Sequence, residues 1–304
     1  MRIPVRCSLR NVLAVALGLC VLLASGPHPA RCAELSIPLA SDLPSDVSLA
    51  LPPDAALDLA VLRAAYPGAV QGLEPDASGR LALVLADGQR LPYDDGQVRD
   101  ARQALEAPDI RSMLAQVYPL GPVLEASAHP RPDFDPGRAR VQALFQALYG
   151  GTEAAVRGNC VVVRFDGHGV AFNARPNGQH GAAQALSRVW RRIEPQLPQH
   201  PEWRTTLRPL GGSLAWRHIA GTKRLSMHSF GIAIDLNPRL PYWRSEPHPE
   251  TVPARRLAFP PEILAAFEAE GFIWGGKWAS FDLMHFEYRP EVILKARLLS
   301  GQSQ

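Results

Sequence analysis

Cysteine is scarce in this chain, with four in 304 residues, and three of them, Cys7, Cys20 and Cys32, fall within the first 33. Beyond that point Cys160 stands alone, which excludes an internal disulfide in the remainder. It precedes the β-branched run Val161–Val163 and reads as a packed small hydrophobe rather than a nucleophile. A sustained apolar run is also missing. The longest, Val12 to Ser25, is too short to span a bilayer stably. Charge of one sign is not in excess either. The formal net charge of +3 is owed to Arg2, Arg6, Arg10 and Arg31, which no acid accompanies in the first 33 residues. The rest is close to neutral, so neither a nucleic-acid partner nor a polybasic membrane surface follows from charge. Internal repeats, low-complexity tracts and a His-Glu-x-x-His helix are absent, and the last absence excludes the helical zinc-protease arrangement.

What is present begins with an export signal. The basic opening followed by the Val12–Ser25 run predicts a secretory signal peptide over residues 1–33, with cleavage after Ala33. Cys20, preceded by Leu-Gly-Leu, lacks the small neighbour of a lipidated cysteine. The expected product is exported, periplasmic or envelope-associated, without stable membrane insertion.

Residues 34–132 read as an N-terminal accessory region and linker. Asp54 to Tyr66 has helical spacing, Arg80 to Tyr93 a hairpin turning at Asp87-Gly88, and Ala101 to Tyr118 a helix interrupted at Pro108. The Pro-rich stretch from Leu120 to Gly137 separates these from a second region over 133–300. There, Val141–Tyr149 and Ala182–Ile193 are periodic helices, and Cys160–Phe165 pairs with Val170–Asn173 as a hairpin. The histidines His168, His180, His129, His200 and His248 lie in turns or among prolines and read as solvated loop residues.

The residues that carry chemistry sit further on. His228 and Asp235 are seven apart in Ser226–Asn237, and His285 follows in Asp282–Arg289. Two imidazoles and a carboxylate suffice to hold a catalytic zinc with its fourth position open. In Gly231–Asn237 the alternation is that of a strand, with Asp235 on the face opposite Ile232, Ile234 and Leu236. A carboxylate there is costly unless a cation or an arginine compensates it. A structural ion pair for Asp235, with His228 incidental, is the competing account.

Asp282 is the candidate base. Period two puts Leu283, His285 and Glu287 on one face of the last strand, so Asp282 is expected in the loop just before it. Glu287 competes as base, or orients a ligand imidazole. The long Pro-rich segment Arg239–Pro261, with Tyr242-Trp243, reads as a loop walling a cleft. A helix follows from Pro261 to Gly271, and Trp274 and Trp278 then divide between core packing and cleft lining.

The block Trp216–Asn237, with Gly271–Trp278 and Asp282–Pro290, resembles the LAS metallopeptidases. These are the D-alanyl-D-alanine carboxypeptidases and dipeptidases of the VanY and VanX type, phage L-alanyl-D-glutamate endopeptidases, and the zinc-bearing Hedgehog signalling domain. The strong part of the resemblance covers residues 211–292. It implies an α+β fold with a small central antiparallel sheet flanked by helices, and one zinc in an open groove. It further implies His228, Asp235 and His285 as zinc ligands, Asp282 as general base, and Ser226 as a substrate contact near the metal. Arg217 is the choice for stabilising the oxyanion, and Arg224 is the alternative, with Trp274 as a further substrate contact. The implied activity is hydrolysis of peptide bonds in the peptidoglycan stem or cross-bridge. Ala279 and Ser280 depart from the Tyr and His that relatives with this Gly-Gly-Lys-Trp loop carry. A zinc-retaining, non-catalytic cell-wall binding module is the alternative function.

Overall fold

The computed structural model describes residues 51–301, so the expected signal segment lies outside the described residues. Helix α1 (Pro53–Ala65) starts at prolines that fit a first turn and buries Leu59, Val61 and Leu62 on one side. A β-meander follows, β1 (Val70–Pro75), β2 (Leu81–Leu85) and β3 (Arg90–Pro92), antiparallel in the order β1-β2-β3. The β2–β3 turn falls at Asp87-Gly88, where Gly88 takes the positive φ (84°) that glycine tolerates. Strand β1 is additional to the expected hairpin, because Gly72 and Pro75 interrupt its apolar alternation. Pro108 does break the next helix in two, α2 (Ala101–Glu106) and α3 (Ile110–Met113), each begun by an aspartate capping box, from Asp100 and Asp109.

Helices α4 (Gln142–Tyr149) and α5 (Glu153–Asn159) lead to the hairpin of β4 (Val163–Gly167) and β5 (Val170–Ala174). Helix α5 was hidden in the sequence by the glycines at 150, 151 and 158. Helix α6 (Ala182–Ile193) has the predicted bounds, and a single turn α7 (Arg204–Leu207) follows. The remaining elements are β6 (Ala233–Asp235), α8 (Val252–Leu257), α9 (Pro261–Ala269), β7 (Phe272–Trp274), β8 (His285–Tyr288) and α10 (Pro290–Ser300). The segment 239–261 is therefore not loop throughout. Helix α8 lies within it, with Pro253 in its first turn, where a missing N–H costs nothing.

The expected mixture of helices and small antiparallel sheets is present. The sheet that positions the site has the order β6-β8-β7, all antiparallel, with β8 in the middle. All four residues of β8 are buried. Phe286 stacks on Phe267 of α9, with ring centroids 4.0 Å apart. Alternation turns His285 and Glu287 to the opposite face.

Residues 51–132 do not stand apart from the rest. They fall in the same compact unit, and α1 packs against α10. Lys295 of α10 donates to Asp58 of α1 (2.6 Å), and the Tyr66 hydroxyl donates to Glu291 (2.6 Å). Tyr118 donates to Glu268 (2.8 Å), which also accepts from the buried Lys277 (2.5 Å).

Candidate metal centre

Strand pairing brings the first two donors together, since Asp235 on β6 is the direct register partner of His285 on β8. His228 arrives from a single 3₁₀ turn, Met227–Phe230, which the Ser226 hydroxyl caps by accepting from the His228 amide (3.4 Å). That turn ends at Gly231 in the left-handed conformation (φ 68°), and a Cβ there would meet Cys160 Sγ at 3.0 Å. Glycine thus lets the chain reverse from the His228 turn into β6.

Around this point the donors converge. Asp235 Oδ1 lies 3.0 Å from His285 Nδ1 and 3.1 Å from His228 Nε2. One ligand atom from each of the three lies within 4.8 Å of the others. His228 Nε2 is buried and has no hydrogen-bond partner, because its approach to Asp235 is poorly aligned. His285 Nε2 faces Glu287 Oε2 at 3.1 Å. A proton on that nitrogen leaves the Nδ1 lone pair facing Asp235 and the groove. A carboxylate oxygen and two inward imidazole nitrogens, one of them orphaned, fit a divalent cation. Burial would push the Asp235 carboxyl up, but His228 and His285 outweigh it and hold it well below the usual carboxylate range. For His285 burial acts downward, and hydrogen bonds to Asp235 and Glu287 raise it to about 10, so that without a cation Nδ1 also carries a proton, in the place a cation would take.

The donors open into a groove with a cavity volume of about 390 Å³. Asp282, Ser226 and Arg217 line it with the three donors. Asp282 lies before β8, as the alternation required, and bridges to Tyr242 of the facing loop. Its Oδ1 is buried without a hydrogen-bond partner. Burial, with the charge of Asp235 adding to it, outweighs the pull of His285 and pushes Asp282 up to about 6.

Two expected residues, Trp274 and Arg224, stand elsewhere, while Glu287 lies against His285. Trp274 does not line the groove. It is fully buried, stacks near Phe259 and Phe286, and donates from Nε1 to the Leu283 carbonyl (3.0 Å). Trp278 takes the groove wall instead, with Nε1 donating to Pro136 O (2.8 Å). Arg224 points away, toward the carbonyl of Leu105, so it is not available to a substrate in the groove. Glu287 is fully buried, with both oxygens engaged by Arg140, Arg289 and His285, which disqualifies it as a base for water.

Sequence reasoning missed Arg138 and Arg140, which line the groove beside Trp278. They lie far upstream, in the Pro- and Gly-containing entry to α4, where no periodicity marks them. Their one signal was the upstream arginine that the resemblance calls for.

Residues 220–288 match the family model described as D-alanyl-D-alanine carboxypeptidase. Over this stretch the chain is similar to the LAS peptidases. The match contains Ser226, His228, Asp235, Asp282, His285 and Glu287, and stops short of Arg217, Arg138 and Arg140. Searches of curated proteins and of solved structures found no match to the chain.

Proposed function

We propose that the chain is an exported, zinc-dependent peptidase hydrolysing peptide bonds of the peptidoglycan stem or cross-bridge, as a DD-carboxypeptidase or an endopeptidase. The observation that carries this reading is the convergence of His228, Asp235 and His285 on a groove that also holds an unpartnered Asp282 oxygen. The family match supports the peptidase class. Export rests on the basic and apolar opening of the sequence.

His228, Asp235 and His285 would hold a divalent cation, which when bound would supply Lewis acidity to acidify water and polarise a carbonyl. Asp282, raised to about 6, is poised to accept a proton from water near neutral pH and to return it to the departing amine. Negative charge developing on the carbonyl oxygen is met by a guanidinium of the groove. Arg217 is our assignment. Arg138, more deeply buried and within the field of Asp282, competes for the role. Ser226 lines the groove next to His228 and holds substrate near the donors.

The test is digestion of purified peptidoglycan by the purified protein, with and without a chelator, read by mass spectrometry. A chelator-sensitive product is expected, and its mass names the bond. A folded, zinc-loaded protein that yields no product would replace this reading with the non-catalytic binding module.

A further inference from the structure

The groove is backed by a file of buried charges that the reaction itself does not use. Glu287, on the face of β8 behind His285, accepts from His285 Nε2 (3.1 Å). Arg140 approaches the same carboxylate as a fork, Nη2 to Oε2 at 2.5 Å and Nε to Oε1 at 3.3 Å. Arg289 donates from Nη1 to Glu287 Oε1 (3.2 Å) and from Nε to Glu291. Glu291 in turn accepts from the hydroxyl of Tyr66, just past the end of α1. Glu287, Arg289, Glu291 and Tyr66 are fully buried, and Arg140 is nearly so.

A carboxylate buried this deeply needs compensation on every side. The three donors allow Glu287 a single orientation. One oxygen takes the His285 and Arg140 nitrogens, and the other takes Arg289 and the second arm of Arg140. With Glu287 held in place, the proton of His285 is held on Nε2 and the lone pair stays on Nδ1, on the metal side. Arginine suits this task because its planar fork matches a carboxylate in two places, whereas lysine offers a point charge.

We infer that Arg140 is a positioning residue for the metal centre, acting through Glu287 on the ring of His285, with Arg289, Glu291 and Tyr66 anchoring the far end. Although Arg140 borders the groove, its Nε and Nη2 are both committed to Glu287. The inference rests on the metal reading given above.

Its test is zinc affinity, measured on the full chain by competition with a chromophoric chelator, beside the visible spectrum of the cobalt-substituted protein. Arg140→Met is expected to weaken zinc binding about 10–100-fold and to shift the cobalt bands, the range typical of lost outer partners of a metal-bound histidine. Arg140→Lys is expected to recover part of the affinity. Should Arg140→Met not fold, Arg140→Gln serves, with the same expectation. Wild-type zinc affinity and an unchanged cobalt spectrum in a folded Met or Gln variant, with only KM raised, would overturn the inference and make Arg140 a substrate contact. Failure of the metal reading looks different, since the unmodified protein would then bind no zinc at all.

Discussion

At the scale of single residues, the proposed function assigns Asp235 to metal binding and Asp282 to turnover. Asp235 sits between the two imidazoles, and its oxygen is the point on which they converge. Asp235→Ala should therefore abolish zinc binding, as read by metal analysis of the purified variant. Asp282 is not in the donor triplet, so Asp282→Ala should retain the metal and lose about 10²–10⁴-fold in kcat, the usual worth of a general base. An Asp282→Ala protein with native turnover would remove Asp282 from the mechanism. The pH profile carries a sign. Asp282 acts as a base only when ionised, and burial has raised it to about 6, so activity falls as pH drops through that value. A bound cation favours the ionised form, which places the acidic limb of kcat/KM at or below about 6. A limb well above that value would belong to another group.

At the scale of elements, a glycine without a side chain permits the approach that seats Asp282. Gly275 opens the turn after β7, and a Cβ there would lie 2.7 Å from the Asp282 carbonyl oxygen and 2.9 Å from the Trp278 ring. Gly275→Ala should thus displace the base while leaving the three donors in place. The expected outcome is a kcat reduced about tenfold or more with zinc content unchanged, in line with the sensitivity of catalysis to small misplacements. The elements that were legible in the sequence are those with an undisturbed period or a strong stop signal. Helix α6 repeats its apolar face without interruption, and the β2–β3 turn is announced by Asp87-Gly88. The grouping of His228 with Asp235 was readable from a short spacing and a strand's alternation, whereas His285, 50 residues beyond Asp235, joined them through the resemblance. What escaped was set by partners remote in the chain. Nothing local distinguishes Trp274, packed under Phe259, from Trp278 on the groove wall. Arg138 and Arg140 gain their place only when β8 and its neighbours assemble.

At the scale of the whole molecule, residues 51–132 are scaffold rather than appendage. They supply partners to Glu291, Lys295 and Lys277, and α1 covers part of α10. A fragment beginning at residue 133 would bare that apolar face and strip Lys295 of Asp58 and Glu291 of the Tyr66 hydroxyl. Native stability is only about 5–15 kcal/mol, so the fragment should show no cooperative thermal unfolding by circular dichroism. A soluble fragment that melts cooperatively and binds zinc would show that the first region is dispensable. The seating of α1 on α10 also dictates a timetable. Translation delivers the N-terminal end first, at roughly 5–20 residues per second, and α1 then waits for a partner far along the chain, since Glu291 follows Tyr66 by 225 residues. Until α10 emerges, α1 has β1 but not its main packing partner, and Tyr66 has no Glu291 to bond. The groove should therefore complete only after α10 is made, and a nick that detaches α10 should disarm it without touching His228, Asp235 or His285.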